Sequence, residues 1–307
     1  MSKKILVIGG TRFFGKILVQ ELLQRGHHVT LATRGNALLS VNLSERLTHV
    51  QLDRGDATAM HAAFSQCEGF DIVYDQVCYH PLDAQIACQV FFDKVGRYIM
   101  TSTIEVYADH YPQHTASAQE SLIDLPGVKV DLTLPWRDAA FAELNYGSAK
   151  RQAEAYFTQN AAFPFVSVRC AHVYAATDEF TGRFAHYAAL VQQQAPFPYS
   201  AGMGKTSFIS APDLAAYLLW IGEQSFVGPI NAAGRGDFNA VDLYNLASGK
   251  TAQSSPLMQA QLEAHAPNSL SPFDYFHDYV LSTQRATSLG FVFADNQAQL
   301  ERVFGVL

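Results

Sequence analysis

Residues 3–23 constrain the fold of this chain more than any other stretch. Lys3-Lys4-Ile5-Leu6-Val7-Ile8 is a short β-type apolar run, Gly9-Gly10-Thr11-Arg12-Phe13-Phe14-Gly15 follows at once, and residues 16–23 carry helical spacing. Strand, glycine-rich turn and helix in that order form the frame of a dinucleotide site. Gly9 permits a sharp turn off the strand, Gly15 permits the helix to lie close to the sheet, and the free N–H groups at the helix start suit a pyrophosphate. The candidate cofactor-binding residues here are Gly9, Thr11, Arg12, Phe13, Phe14 and Gly15, with Arg12 standing where the usual fingerprint has its middle glycine. The competing reading is an ordinary tight βα turn.

The continuation supports the dinucleotide reading. Strand-like runs at 27–33, 47–52, 70–74, 97–101 and 164–169 alternate with helical runs at 57–66, 81–92 and 143–159. That alternation predicts an α/β Rossmann fold, a doubly wound parallel sheet with helices on both faces. Residues 109–142, with Pro112, Pro126, Gly127 and Pro135, break the rhythm and read as an excursion over the sheet. Beyond 170 the pattern loosens into short strands at 196–199, 206–209 and 228–231 and helices at 184–194, 212–223, 240–247, 256–264 and 296–304. The expected organisation is an NAD(P)-binding domain over 1–170 and a smaller mixed α/β substrate-binding cap over 171–307, with some segments returning to the first domain.

Composition narrows the function. With 49% apolar residues among 307, the chain has ample material for a core. A formal net charge of −7 argues against broad phosphate-driven nucleic-acid binding. Cys67, Cys78, Cys88 and Cys170 lack CxxC spacing, and no histidine pair has ligand spacing, so no metal is expected and the cysteines read as reduced thiols. The only apolar run near the N-terminus is far shorter than a signal-peptide core, and no run reaches membrane-spanning length, so a cytoplasmic protein is expected.

Two further segments carry chemistry. In Tyr146-Gly147-Ser148-Ala149-Lys150, Tyr146 and Lys150 stand four apart and share one face of a helix. An ammonium beside a phenol favours the phenolate, which fits the tyrosine to exchange a proton with a substrate hydroxyl. In Met100-Thr101-Ser102-Thr103-Ile104-Glu105-Val106-Tyr107, hydroxyls fall at the C-terminal end of the fifth strand, the edge where open α/β sheets bind ligands. The bland readings are an exposed helical pair and a polar strand end.

With these pieces in order, the chain resembles the extended short-chain dehydrogenase/reductase family, and within it the NAD-dependent epimerase/dehydratase group that works on nucleotide sugars. The resemblance extends to Val168-Arg169-Cys170-Ala171-His172-Val173-Tyr174, to residues 207–215 and to Ile230-Asn231-Ala232-Ala233. It implies Thr103 as the catalytic hydroxyl, Tyr146 as catalytic acid and base, Lys150 as its partner, and Asp53 as an adenine contact. It also implies a homodimer through helices flanking the sheet, within 84–92 and 149–157. The Gly-Gly-Thr-Arg-Phe-x-Gly form is similar to a subgroup that includes plant chloroplast stem-loop-binding proteins. Cys170 and Ala175 depart from the family's usual proline and glycine.

The end of the second strand carries Arg34 where an acidic residue would hold the ribose diol of NAD; an arginine there suits the 2′-phosphate of NADP. NADP is therefore expected over NAD. Thr103-Ile104-Glu105 lacks the central acid of a Thr-Asp-Glu dehydratase, while Glu105 is either a further base or a structural carboxylate. His172, Arg183 and Lys205 are the substrate-binding candidates, the two cations for a diphosphate. The expected function is an NAD(P)-dependent epimerase or related oxidoreductase acting on a nucleotide-activated sugar. The alternatives are an NADP-binding regulatory or RNA-binding protein with a vestigial site, and a reductase for a small carbonyl.

Overall fold

A computed structural model describes residues 2–35, 45–111, 116–200, 203–250, 257–260 and 270–306. The elements run β1 (Lys4–Ile8), α1 (Phe13–Gln24), β2 (His28–Thr33), β3 (Leu47–Gln51), α2 (Ala57–Phe64), β4 (Ile72–Asp75), α3 (Pro81–Val90), β5 (Tyr98–Thr103), α4 (Ala139–Leu144), α5 (Tyr146–Asn160) and β6 (Phe165–Cys170). They continue as β7 (His172–Tyr174), α6 (Arg183–Gln192), β8 (Phe197–Ser200), β9 (Thr206–Ser210), α7 (Ala211–Gly222), β10 (Gly228–Ala232), β11 (Asp237–Phe238), α8 (Ala240–Lys250), β12 (Leu257–Ala260), α9 (Gln284–Ser288) and α10 (Asn296–Phe304). Short 3₁₀ turns follow β5 at Ile104–Tyr107 and occur at Glu120–Leu122 and Leu125–Gly127.

The chain forms two compact units, each assembled from separate segments. The first comprises Met1–Ala108, Glu120–Cys170 and Leu214–Asn231. Its frame is a seven-stranded sheet in the order β10-β6-β5-β4-β1-β2-β3, with β1 at the switch between the two directions of winding. The strands from β3 through β6 pair in parallel. Central parallel strands are buried on both faces and therefore carry consecutive apolar residues, as Ile5–Ile8 of β1, Ile72–Tyr74 of β4 and Tyr98–Met100 of β5 do. A core including Leu6, Ile8, Val73, Tyr98, Met100 and Phe157 lies within this unit.

The second unit comprises Asp109–Gln119, Ala171–Asp213 and Ala232–Leu307. It holds a β11-β9-β7 sheet, a β12–β8 pair and a core including Tyr174, Phe184, Tyr187, Phe208, Leu243 and Phe304.

Two expected helices differ from the structure. The helix expected over 143–159 is two helices, because α4 ends at Leu144 and α5 starts afresh at Tyr146. Asn145, between them, turns its side-chain amide back onto Phe141 O at 2.9 Å, a local bond that competes with helix propagation. Tyr146 consequently sits in the first turn of α5 rather than inside a longer helix. The helix expected over 256–264 is replaced at 257–260 by β12, which pairs in parallel with β8. Its good helix formers yield there to the backbone bonds offered by a neighbouring strand; residues 256 and 261–264 lie outside the described residues. The three-residue strand β7, starting at His172, is too short to leave an alternating pattern.

Candidate active site

The glycine turn has the geometry its motif implies. Gly9 has φ +78°, and a Cβ on Gly15 would stand 2.0 Å from Gln76 Oε1 and 2.7 Å from Gly10 Cα, so only glycine fits. Arg12 is exposed and extended, with φ −137°, a backbone conformation that any residue adopts. The strain falls one residue later, where Phe13 has φ +56° as α1 begins and its ring is buried. Arg12, at the N-cap, makes no side-chain cap bond to α1. That helix start, beside a turn with no room for a Cβ, fits a nucleotide pyrophosphate. The first residues of the helix would hold the pyrophosphate of a nicotinamide dinucleotide, whose chemistry is hydride transfer.

At the ends of β2 and β3 the candidates Arg34 and Asp53 are both exposed. Gln51 Nε2 donates to Arg34 O at 3.1 Å, and Asp53 Oδ1 accepts from Gly55 N at 2.8 Å, which shapes the two turns. Arg54, directly after Asp53, turns inward. Its Nε and Nη2 donate to Asp75 Oδ2 at 3.0 and 2.7 Å, and Tyr98 OH donates to the same oxygen at 2.6 Å. Sequence reading passed over this buried pair, because an arginine after a strand looks like a solvated loop residue.

The catalytic candidates Thr103, Tyr146 and Lys150 come together at the C-terminal end of β5. Lys150 is 2% exposed, and its Nζ donates to Thr101 O at 2.8 Å and Cys78 O at 2.7 Å. Tyr146, one helical turn earlier on α5, is 37% exposed. Thr103 Oγ1 accepts from Glu105 N at 3.3 Å and so caps the 3₁₀ turn after β5. A Cβ on Gly147 would meet Glu105 O at 2.2 Å, so glycine beside Tyr146 is what lets α5 reach that turn. Arg151 Nη1 donates to Val106 O at 3.1 Å and fixes the same approach. Glu105 is half-buried in the turn, and Ile104 before it is buried. A model of the NAD dependent epimerase/dehydratase family matches residues 5–233.

The chain belongs to that family.

It is an extended short-chain dehydrogenase/reductase, and it shares its Rossmann fold with solved enzymes of this type. The Bordetella bronchiseptica enzyme WbmH, solved with NAD+, superposes with a TM-score of 0.71 at 16% identity over 100% of this chain and 98% of that one. The dTDP-glucose 4,6-dehydratase of Bacillus anthracis, solved with NAD, gives 0.74 at 12% identity over 99% and 96%. The UDP-glucuronic acid 4-epimerase of Bacillus cereus, solved with UDP-glucuronic acid and NAD, gives 0.72 at 16% over 99% and 98%. Among curated proteins, the chloroplast stem-loop binding protein of 41 kDa b of Arabidopsis thaliana is 40% identical over 85 residues, 24% of this chain. The match spans only 22% of that relative's length.

Three family-like segments meet in one buried network in the first unit. Arg169 is wholly buried, with its Nε and Nη2 on the Glu154 carboxylate at 2.7–3.2 Å and Nη1 on Tyr107 Oη at 2.6 Å and Glu120 O at 3.1 Å. Tyr107 OH donates to Asn231 Oδ1 at 2.9 Å, and Asn231 N donates to Glu120 Oε1 at 2.8 Å. Burial works to lower the Arg169 pKa, but the Glu154 and Tyr107 contacts outweigh it and hold the guanidinium above its ordinary range. These residues knit the 3₁₀ turn after β5 to α5, β6 and β10.

In the second unit the structure brings together two of the three substrate candidates. Arg183 Nη1 lies 3.4 Å from His172 Nδ1, and the guanidinium stands 4.9 Å over the Phe273 ring. His172 Nε2 lies 3.2 Å from Tyr275 Oη. A guanidinium only donates, so Nδ1 accepts and Nε2 carries the imidazole proton toward Tyr275. Burial, helped by Arg183, lowers the His172 pKa to about 3, consistent with that neutral form. Lys205 instead forms an exposed pair with Asp242 at 3.7 Å. Among the described residues no cluster has the make-up of a metal site, and no helix is long and apolar enough to cross a membrane.

Proposed function

We propose that the protein is an NADP-dependent enzyme acting on a nucleotide-activated sugar, most simply an epimerase. The observation that carries this reading is the buried Lys150 ammonium, anchored on Thr101 O and Cys78 O one helical turn from the accessible Tyr146. An ammonium held in place next to a phenol stabilises the phenolate. Tyr146 then takes the proton of a substrate hydroxyl and returns it, while the Thr103 hydroxyl holds the substrate oxygen. A bound nicotinamide supplies the acceptor and donor of hydride. Ile104, buried where a Thr-Asp-Glu dehydratase has its acid, favours epimerisation over dehydration, and Glu105 serves the turn that carries Thr103.

Exposed Arg34 at the end of β2, with no acid in its place, supports NADP. Titration with NADPH and NADH tests this point, and tighter NADH binding contradicts it. The substrate class is tested by incubating the protein with UDP-, GDP- and dTDP-sugars and either cofactor. A C4- or C2-inverted product is expected, and absence of turnover with every nucleotide sugar contradicts the reading.

The match to a stem-loop binding protein favours one second reading, an NADP-binding RNA-binding protein. It predicts salt-sensitive retention of structured RNA in a filter-binding assay.

A further inference from the structure

The short loop between β4 and α3 brings two groups to Lys150, the Cys78 carbonyl and the Tyr79 ring. Asp75 Oδ1 accepts from Val77 N at 3.1 Å, and Asp83 Oδ2 accepts from Tyr79 N at 2.8 Å. Arg54 joins these two carboxylates from beneath, with Nη2 2.7 Å from Asp75 Oδ2 and Nη1 3.6 Å from Asp83 Oδ1. Residues 77 and 79 thus give their N–H groups to buried carboxylates. Cys78, between them, gives its carbonyl to Lys150 Nζ. The Tyr79 ring lies over the same ammonium, with its centroid 4.8 Å from Nζ. A lysine ammonium has three N–H donors. Two are bound by the Cys78 and Thr101 carbonyls, and the ring face beside them restricts the swing of the third.

We propose that Tyr79 is a positioning residue for the Tyr146–Lys150 pair: its ring, held in place by the Arg54–Asp75–Asp83 charge cluster, fixes the direction of the one Lys150 N–H left for cofactor and phenol. Tyr79 is itself 48% exposed and lies within electrostatic reach of both Lys150 and Tyr146. Partial desolvation raises its phenol above the ordinary range, against the pull of Lys150, so Tyr79 stays a neutral phenol while Tyr146 does the proton transfer. Its ring, not its hydroxyl, meets the ammonium, so the role survives loss of the hydroxyl and fails on loss of the ring.

This inference rests on the reading that Lys150 meets the nicotinamide half of the cofactor, and the test separates the two. Tyr79→Phe, Tyr79→Leu and Lys150→Met are made in the full chain, and binding of the tighter of NADP+ and NAD+ is compared by calorimetry with binding of ADP, which lacks that half. Tyr79→Leu is expected to weaken the dinucleotide about fivefold and leave ADP within about twofold. Tyr79→Phe is expected to match the unsubstituted protein for both, a rescue that a merely structural role for the side chain would not separate from ADP binding. Unchanged or tighter dinucleotide binding in Tyr79→Leu, an equal loss for ADP, or a Tyr79→Phe loss as large as that of Tyr79→Leu overturns the proposal alone. Unchanged dinucleotide binding in Lys150→Met overturns the proposal together with the reading beneath it.

Discussion

The first unit sets two buried arginines, Arg54 and Arg169, against carboxylates; the second buries a titratable ring that sheds its charge. Lys150, Arg54 and Arg169 are all surrounded by oxygen acceptors, which are backbone carbonyls for the lysine and carboxylates for the two arginines. His172 meets a guanidinium on one nitrogen and a phenol on the other, with rings of Phe273, Tyr275 and Tyr279 around it. No carboxylate is among the partners that meet its ring nitrogens, and its pKa is driven down to about 3. What decides the state of a buried group is therefore the type of neighbour as much as the depth of burial. The first environment suits proton transfer beside a fixed cation, and the second suits a neutral hydrogen-bond relay.

The comparison can be broken most strongly at Arg169. Arg169→Met leaves the fully buried Glu154 without its charge partner, and denaturant unfolding is expected to show a loss of about 3–5 kcal/mol. A smaller but more local effect is expected from Gly147→Ala, which forces α5 away from Glu105 O. It should cost about 1–3 kcal/mol in the same assay and lower turnover disproportionately, because Tyr146 moves with the helix. On the second side, the folded pKa of His172 lies below its ordinary value of 6.5, so the unfolded chain binds the proton that the native state refuses. Its stabilising contribution is complete above about pH 6.5 and declines as pH falls toward 3. His172→Gln removes that dependence, so the gap in stability between the two proteins should shift by about 1–2 kcal/mol between neutral pH and pH 5. The smallest effect is expected at Arg12. Its extended backbone needs no glycine, and Arg12→Gly should change stability by less than about 1 kcal/mol in thermal unfolding.

Much of the first unit was legible because its signals are local. β1 to β6 are short runs rich in β-branched and apolar residues, the glycine turn is contiguous, and Tyr146 and Lys150 are one helical turn apart. The break at Asn145 was not legible, because a good helical run continues through it and the competing bond is made by a single amide. Arg54, Asp75 and Tyr79 escaped notice for a different reason. Each is a polar or aromatic residue near a strand end, where exposure is the usual fate, and their partners lie far along the chain: Asp75 is 21 positions from Arg54, and Cys78 is 72 from Lys150. Arg169 was read within a family-like segment, but only the structure shows it spent on Glu154 and Tyr107. In the second unit, the expected helix around 257–260 gave way to a strand because pairing with β8 outweighs intrinsic preference. His172 and Arg183 were picked out individually, and their contact joins residues 11 apart through a short strand that has no pattern of its own.

The central claim is that Tyr146, set beside the buried Lys150, performs the proton transfer on a nucleotide sugar. Its most direct test is steady-state turnover of the best substrate from the nucleotide-sugar panel by the unsubstituted protein and by Tyr146→Phe, with cofactor affinity measured on both. The account predicts that kcat falls by about 10²–10⁴-fold in Tyr146→Phe while the cofactor still binds; unchanged turnover in that variant would contradict it.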